Sequence, residues 1–168
     1  MSDKRLIPWR EVASWACRAC GNCCRGYRVP LKMDEYAKVA NTYGSSVLEY
    51  GVGRVYLRNG HDNRCIFQQP LMGRWICTIQ GMKPTACRNF PFQIHHQPIY
   101  SRGDNSAYIL GDKKYYIYLD PDCEGVIQGQ PTERFWKYVL PEILRSSLVG
   151  TAGKQKYTTS KFIHWTPP

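Results

Sequence analysis

The sequence predicts an α+β fold: a small single domain with short antiparallel strands and about three helices, assembled around a cysteine metal site. Some segments repeat apolar residues at helical spacing, and others carry strand and hairpin signals. Half of the eight cysteines fall within one stretch, residues 17–24. With 168 residues and 43% hydrophobic content, the chain is long enough to enclose a core.

Three segments have helical periodicity. The first is 8–17, with Pro8 at its first position, and the second runs from Asp34 to about Tyr43 and ends at Gly44. The third and longest is 132–148, for which Pro141 predicts a kink. Its expected buried face consists of Phe135, Trp136, Val139, Leu140, Ile143 and Leu144.

The strand signals lie between these helices. Residues 27–33 and 55–58 are predicted to be extended, and 93–119 to form antiparallel strands with a hairpin turn at Gly111 and Asp112. We expect residues 1–150 to form the cysteine-cluster metal-binding domain. Residues 151–168 are polar and irregular, and we expect them to form a basic C-terminal tail.

The cysteine-rich stretch has metal-ligand spacing, since Cys17, Cys20 and Cys23 follow one another at C-x2-C intervals. Such a turn lets neighbouring sulfurs wrap around one ion, and the repeated spacing is typical of iron–sulfur proteins. Gly21 lets the backbone of the turn take a positive φ or approach the metal closely. Cys23 and Cys24 are adjacent, and adjacent side chains of an extended backbone point to opposite sides. We therefore expect them to serve different sites, or one of them to remain free.

The other four cysteines are spread over the next hundred residues, where they can complete one or two sites. The predicted metal ligands are Cys17, Cys20, Cys23, Cys24, Cys65, Cys77, Cys87 and Cys123. One alternative is a disulfide framework, but it is typical of short secreted chains. Another is that Cys24, Cys65 or Cys123 is an ordinary buried apolar residue. The sequence has no apolar stretch of signal-peptide length and no apolar run long enough to span a membrane. We therefore expect reduced thiols and a cytoplasmic protein.

Arg88 directly follows Cys87 and is the predicted cofactor-binding residue, because a guanidinium can donate to a cluster sulfur or pair with an anion. A surface position or a salt bridge is the alternative for Arg88. His95 or His96 could supply one further ligand. No nucleophile–base arrangement, P-loop or dinucleotide fingerprint can be read, so no catalytic residue is predicted.

The formal charge of +10 is of the kind that nucleic-acid binders carry. It counts every cysteine as neutral, however, whereas a zinc ion or a [4Fe–4S]²⁺ cluster with four thiolates carries a net charge of −2. Charge alone therefore does not predict nucleic-acid binding, and arginines near the cysteines can neutralise the sites.

Residues 17–129 resemble the CxxCxxCC family of YkgJ-like cysteine-cluster proteins, a zinc- or iron-chelating domain. The matching residues are Cys17, Cys20, Cys23, Cys24, Val29, Pro30, Leu31, Asp34, Cys65, Cys77, Pro84, Cys87, Arg88, Phe90, Pro91, Phe92, Cys123, Gly125 and Gly129. Lys83 departs from the arginine usual in the family, and Gln80 stands near a usual tyrosine. The resemblance implies binding of zinc or iron, often as an iron–sulfur cluster.

Two functions follow as hypotheses. The first is an iron–sulfur protein that serves as a subunit or accessory factor in electron transfer or redox-dependent protein modification. Flagellin lysine N-methylase, an iron–sulfur protein, is similar in its cysteine cluster, which implies the modification role by analogy. The alternative is a zinc-stabilised, non-catalytic module that binds a protein complex or RNA through its basic surface. Both hypotheses imply a partner, which we expect to be a protein or a larger complex.

Overall fold

The computed structural model describes residues 5–100 and 103–149. Within them the predicted α+β class is confirmed, with three α-helices and several short antiparallel sheets. The described residues form two compact units, one made of 5–17 and 89–149 and the other of 18–88. The predicted tail, 151–168, lies outside the described residues.

The secondary-structure elements are short, and every strand pairing is antiparallel. The helices are α1 Met33–Tyr43, α2 Thr85–Asn89 and α3 Leu140–Val149. The strands are β1 Ile7–Pro8, β2 Val12–Trp15, β3 Pro30–Leu31, β4 Leu48–Gly51, β5 Arg54–Leu57, β6 Gln68–Leu71, β7 Arg74–Cys77, β8 Phe92–His95, β9 Ala107–Leu110, β10 Lys113–Leu119 and β11 Val126–Gln128.

The first unit is built on the seven-residue strand β10. β8 pairs along one side of it, and β9 and β1 pair with successive parts of the other side. The predicted hairpin at Gly111 and Asp112 is confirmed, since it joins β9 to β10. Ile117, Tyr118 and Leu119 are all buried, so both faces of the end of β10 are covered.

The predicted helix over 8–17 is wrong. This segment forms β1, a 3-10 turn at Trp9–Glu11 and then β2, which pairs with β11 through Trp15 and Val126. β-Branched and aromatic residues fit a half-buried strand, and the pairing with a segment more than a hundred residues away overrides the local helical periodicity. Trp9 and Trp15 are both buried in this segment.

The predicted C-terminal helix is present but is not a regular α-helix. A π-helical turn, Phe135–Val139, leads into α3 immediately before Pro141, which has no N–H to donate to the preceding turn. Five of the six predicted core residues are buried, but Trp136 is 40% exposed. Trp136 lies within the π-helical turn and is not on the buried face.

The second unit contains α1, the sheet β3-β5-β4 and the hairpin β6–β7. α1 agrees with the prediction: it has acidic residues in its first turn and ends at Gly44, whose φ is 79°. The unit has its own apolar core. Its buried residues are Cys24, Val29, Val39, Leu48, Leu57, Cys65, Phe67 and Ile79.

The C-x2-C turn lies against the β6–β7 hairpin. Of the two roles considered for Gly21, the structure shows the positive φ, 83°, and Ala19 also has a positive φ, 54°. The Trp75 backbone N–H donates to the Ala19 carbonyl at 2.8 Å, and the buried Gln68 amide donates to the Gly21 carbonyl at 3.0 Å. These two hydrogen bonds attach the turn to the hairpin.

Gly21→Ala is expected to lower the free energy of unfolding more than Gly73→Ala. Both glycines have a positive φ, so each substitution carries a backbone cost of about 1 kcal/mol. A Cβ at Gly21 would also lie 2.7 Å from Trp75 Cβ, whereas nothing lies within 4 Å at Gly73. We expect a total of about 3 kcal/mol for Gly21→Ala in urea unfolding. Equal losses in the two variants would contradict the packing described here.

Candidate metal centre

Five of the eight cysteines gather in the core of the second unit. Cys24 and Cys65 are buried within it, and three half-buried cysteines, Cys23, Cys77 and Cys87, pack against it. They come from four chain segments: the 3-10 turn Asn22–Cys24, the approach to β6, the end of β7, and α2. These five residues are called the thiol cluster below. Thiols are soft donors, and thiolates select zinc, copper(I) or iron–sulfur clusters.

Backbone hydrogen bonds hold two of these segments together. The Cys65 N–H donates to the Cys24 carbonyl at 2.8 Å, and Arg25 and Arg64 form an isolated antiparallel bridge beside it. The Thr78 N–H donates to the Phe67 carbonyl at 2.8 Å, which fixes the chain directly after Cys77. The positions of three cysteines are therefore set by main-chain pairing.

Cys23 and Cys24 do not point apart. Their Sγ atoms lie 3.8 Å from one another. The expectation of opposite directions assumed extended backbone, but Asn22–Cys24 is a 3-10 turn that begins at Gly21. In a tight helical turn, adjacent side chains can lean toward one point, so both sulfurs are available to the same site.

Lys83 is a residue of the centre that sequence reasoning considered only as a departure from the family's arginine. It is 8% exposed and lies between Cys77 and Cys87 in the chain. Burial by itself would lower the pKa of its ammonium group, but the negative charges of Cys77, Cys87 and Cys23 raise it, and the net shift is upward. The sequence feature that could have indicated this position is a lysine between two cysteines, Cys77 and Cys87, in an apolar segment.

The thiols differ in how readily they ionise. A hydrogen bond from Cys24, with further help from Lys83, outweighs burial and lowers the pKa of Cys23 to about 7. The hydrogen bond to Cys23 and burial raise the pKa of Cys24, and burial raises that of Cys87 and Cys77. Burial also raises the pKa of Cys65, to about 11. Near neutral pH, Cys23 is the first thiolate available to a cation.

The thiol cluster has the donor chemistry for zinc or iron, and four of its five sulfurs would suffice for either. In the part of the chain that the structure describes, no group of three or more His, Cys, Asp or Glu side chains is already arranged to hold a metal ion. A cysteine sulfur moves by rotation about a single bond, χ1. Closing a coordination shell therefore requires rotation of these side chains.

The remaining cysteines lie elsewhere. Cys17 follows β2 and Cys123 precedes β11, and the Ala16 N–H donates to the Gly125 carbonyl at 3.2 Å, so both lie toward the same end of this two-stranded ribbon. Cys20 is half-buried next to Gly21 and is not one of the cysteines of the core. All eight cysteines are thiols rather than disulfides. Metal ligation by these three cysteines stays a prediction.

Arg88 forms the salt bridge that was its alternative interpretation. Its Nη2 lies 3.9 Å from Glu35 Oε1 and donates to Thr85 Oγ1 at 3.0 Å. Contact of Arg88 with a cofactor stays a prediction. His95 and His96 pack against the rings of Tyr118 and Tyr115, with ring centroids 6.0 and 5.6 Å apart.

The first unit has a groove that does not involve the thiol cluster. Its volume is about 1110 Å³, and its walls include Trp9, Tyr108 and Trp136. The Tyr108 hydroxyl donates to the Trp136 carbonyl at 2.9 Å, which ties two of these residues together. No cysteine lines this groove, so it is not part of the candidate metal centre.

Comparison with protein families places this arrangement in a known group. A family model matches residues 16–124, about two thirds of the chain, and the matched segment contains all eight cysteines. The chain belongs to the CxxCxxCC family. The family is described as "Putative zinc- or iron-chelating domain", which agrees with the resemblance read from the sequence. Metal binding, by zinc or iron, is therefore supported for this family member.

Two further comparisons gave no match, one with curated protein sequences and one with solved structures. In the residues that the structure describes, none of the helices is long and apolar enough to cross a membrane.

The metal-free, reduced protein is expected to lose stability as the pH rises from 9 to 11. The Cys65 thiol ionises near its ordinary value of 9.0 in the unfolded chain but only near 11 in the folded one. Ionisation therefore favours the unfolded state in this window, by up to about 2.7 kcal/mol for a shift of two units. The measurement is urea unfolding across this pH range with and without Cys65→Ala. If the difference in unfolding free energy between the two proteins does not depend on pH, Cys65 does not titrate as described.

Proposed function

We propose that this CxxCxxCC protein is an iron–sulfur protein whose cluster is held by four sulfurs of the thiol cluster. It acts as a subunit or accessory factor in electron transfer or in redox-dependent protein modification. The observation that carries the proposal is the gathering of five thiols and one buried lysine within an apolar core. An iron–sulfur cluster, when bound, exchanges electrons at a potential that its surroundings set.

The apolar residues around the thiols support a redox role. Val39, Leu57, Phe67 and Ile79 are buried in the same core as Cys24 and Cys65. Such a wall keeps water from the sulfurs and lowers the local dielectric constant, which strengthens every charge interaction there. Solvent exclusion is one of the means by which a protein sets a reduction potential.

Lys83 provides a second way in which the protein can set the reduction potential. Its ammonium group is buried beside the thiolates and offsets part of their negative charge. Net charge near a metal–thiolate group shifts its potential, because a nearby positive charge stabilises the more reduced and more negative state.

The make-up of the second unit also favours iron–sulfur over structural zinc. The unit has sheets and an apolar core of its own, whereas small zinc modules take much of their folding energy from the metal.

One observation favours zinc as a second candidate. The Sγ atoms of Cys23 and Cys24 are 3.8 Å apart. A tetrahedral ion with Zn–S bonds of about 2.3 Å places two thiolate sulfurs about 3.8 Å from each other. In this role the chain is a non-catalytic module, and its basic residues contact a protein complex or RNA.

Either role implies a partner, because no substrate fingerprint can be read in the chain. We propose a protein partner or a larger complex, in the cytoplasm. Nucleic acid is supported by the formal charge of +10 alone.

The metal content of protein purified without oxygen tests the proposal. We expect iron and acid-labile sulfide in equal amounts, with a broad visible absorption. Cys87→Ser and Cys24→Ser are expected to lose most of both, because each removes a sulfur of the thiol cluster. Thr78→Ser, which keeps its hydroxyl beside Cys77, is the matched control and should retain the iron.

Stoichiometric zinc without colour would reject the iron–sulfur proposal in favour of the zinc module. Wild-type iron content in Cys87→Ser and Cys24→Ser would show that the cluster is bound elsewhere.

Lys83→Met is expected to retain the iron but to lower its reduction potential, because the removed positive charge no longer stabilises the reduced state. We expect a shift of roughly 60 mV, the equivalent of about 1.4 kcal/mol for one electron. Lys83→Arg keeps the charge and serves as the control. A dye-coupled redox titration measures both. An unchanged potential in Lys83→Met would show that the charge of Lys83 does not affect the reduction potential of the centre.

A further inference from the structure

Cys87 lies on a helix that is too short to be stable by itself. α2, Thr85–Asn89, is little more than one turn, and an isolated helix of this length is unstable in water. Pro84 stands immediately before it, so no Ser, Thr, Asp or Asn side chain is in place to cap its first N–H groups. The orientation of the Cys87 sulfur therefore depends on what holds the start of α2.

A carboxylate from another helix does so. Glu35 Oε1 accepts a hydrogen bond from the Thr85 backbone N–H at 2.6 Å and a second from the Thr85 hydroxyl at 2.6 Å. The same hydroxyl accepts from Arg88 Nη2 at 3.0 Å, and that nitrogen lies 3.9 Å from Glu35 Oε1. Glu35, Thr85 and Arg88 thus form a closed ring of charge-assisted contacts on either side of Cys87.

The other oxygen of Glu35 caps its own helix. Glu35 Oε2 accepts from the Lys32 backbone N–H at 3.0 Å at the start of α1. One carboxylate, 8% exposed, therefore joins the first turns of two helices that are fifty residues apart in the chain. Both of its oxygens act as acceptors, which a neutral amide cannot reproduce because its NH₂ group only donates.

We infer that Glu35 is a positioning residue of the metal centre: its carboxylate joins α1 to the start of α2 and thereby sets the direction of the Cys87 sulfur. The inference rests on the proposed metal site and names a residue that acts on it through Thr85 and Arg88. In this inference Arg88 helps to hold Thr85 and Glu35 in place through its contacts with both. Glu35→Gln is the sharpest test, because the side chain keeps its size but one oxygen becomes a donor that faces a donor.

The first experiment titrates the metal-free, reduced protein with Co²⁺ and follows the thiolate-to-cobalt absorption. We expect Glu35→Gln to bind Co²⁺ about 10–100-fold more weakly, the range found when outer partners of metal ligands are removed. Its absorption per cobalt should fall toward that of Cys87→Ser. Thr85→Ser keeps both the hydroxyl and the N–H and should behave as the wild type.

Two controls separate positioning from general stability. Glu49→Gln breaks the exposed ion pair between Glu49 and Arg28 in the same unit and should leave the Co²⁺ spectrum unchanged. Gly53→Ala strains a hairpin turn with a φ of 68° and open space around it, and it lowers stability without touching a thiol. It should retain the wild-type absorption per cobalt.

A second readout needs no metal. The alkylation rate of each thiol, measured by mass spectrometry on the metal-free protein, should rise at Cys87 in Glu35→Gln and stay unchanged at Cys65. Gly53→Ala lowers the stability of the whole unit, so any increase in alkylation rate that it causes should occur at both Cys87 and Cys65.

The inference fails if Glu35→Gln has the Co²⁺ affinity and spectrum of the wild type, or if its losses equal those of Gly53→Ala at the same stability. If the wild-type protein itself gives no thiolate absorption with Co²⁺, the metal site fails and the positioning role falls with it. The two failures are therefore distinguishable, because only the second one affects the wild type.

Discussion

Burial of ionisable sulfur and nitrogen in one apolar core is the constraint on which the second unit depends. A charged group is stable away from water only when an opposite charge or hydrogen bonds compensate it. Lys83 and the thiolates compensate each other, and the raised pKa values of Cys24, Cys77 and Cys87 show that one ammonium is not enough for five sulfurs. Near neutral pH these three sulfurs stay protonated in the metal-free protein, and a bound cation would stabilise them as thiolates. The CxxCxxCC family is described as a "Putative zinc- or iron-chelating domain".

The rest of the second unit positions these groups. Main-chain bonds bring Cys24 to Cys65, and the hairpin β6–β7 carries Cys77 and supports the Gly21 turn. Glu35 holds the helix of Cys87. Each of these cysteine segments thus has its own attachment to the rest of the unit.

Local rules account for the elements that the sequence predicted correctly. α1 has acids in its first turn and a glycine at its end, and the β9–β10 hairpin has a Gly-Asp turn, so neighbouring residues suffice to specify them. The segment 8–17 was mistaken for a helix because its strand partner, β11, is more than a hundred residues away. The prediction that the Cys23 and Cys24 side chains point to opposite sides is wrong because it assumes extended backbone, whereas the two residues lie in a 3-10 turn.

The sequence by itself determined the donor chemistry and the family, because these follow from residue types and from spacings of a few positions. Only the tertiary structure decided which five thiols meet, that Lys83 lies among them, and that Glu35 caps the helix of Cys87. The physical reason is distance along the chain. Contacts between segments forty or fifty residues apart depend on strand pairing and core packing, and no local pattern encodes where those bring two side chains together.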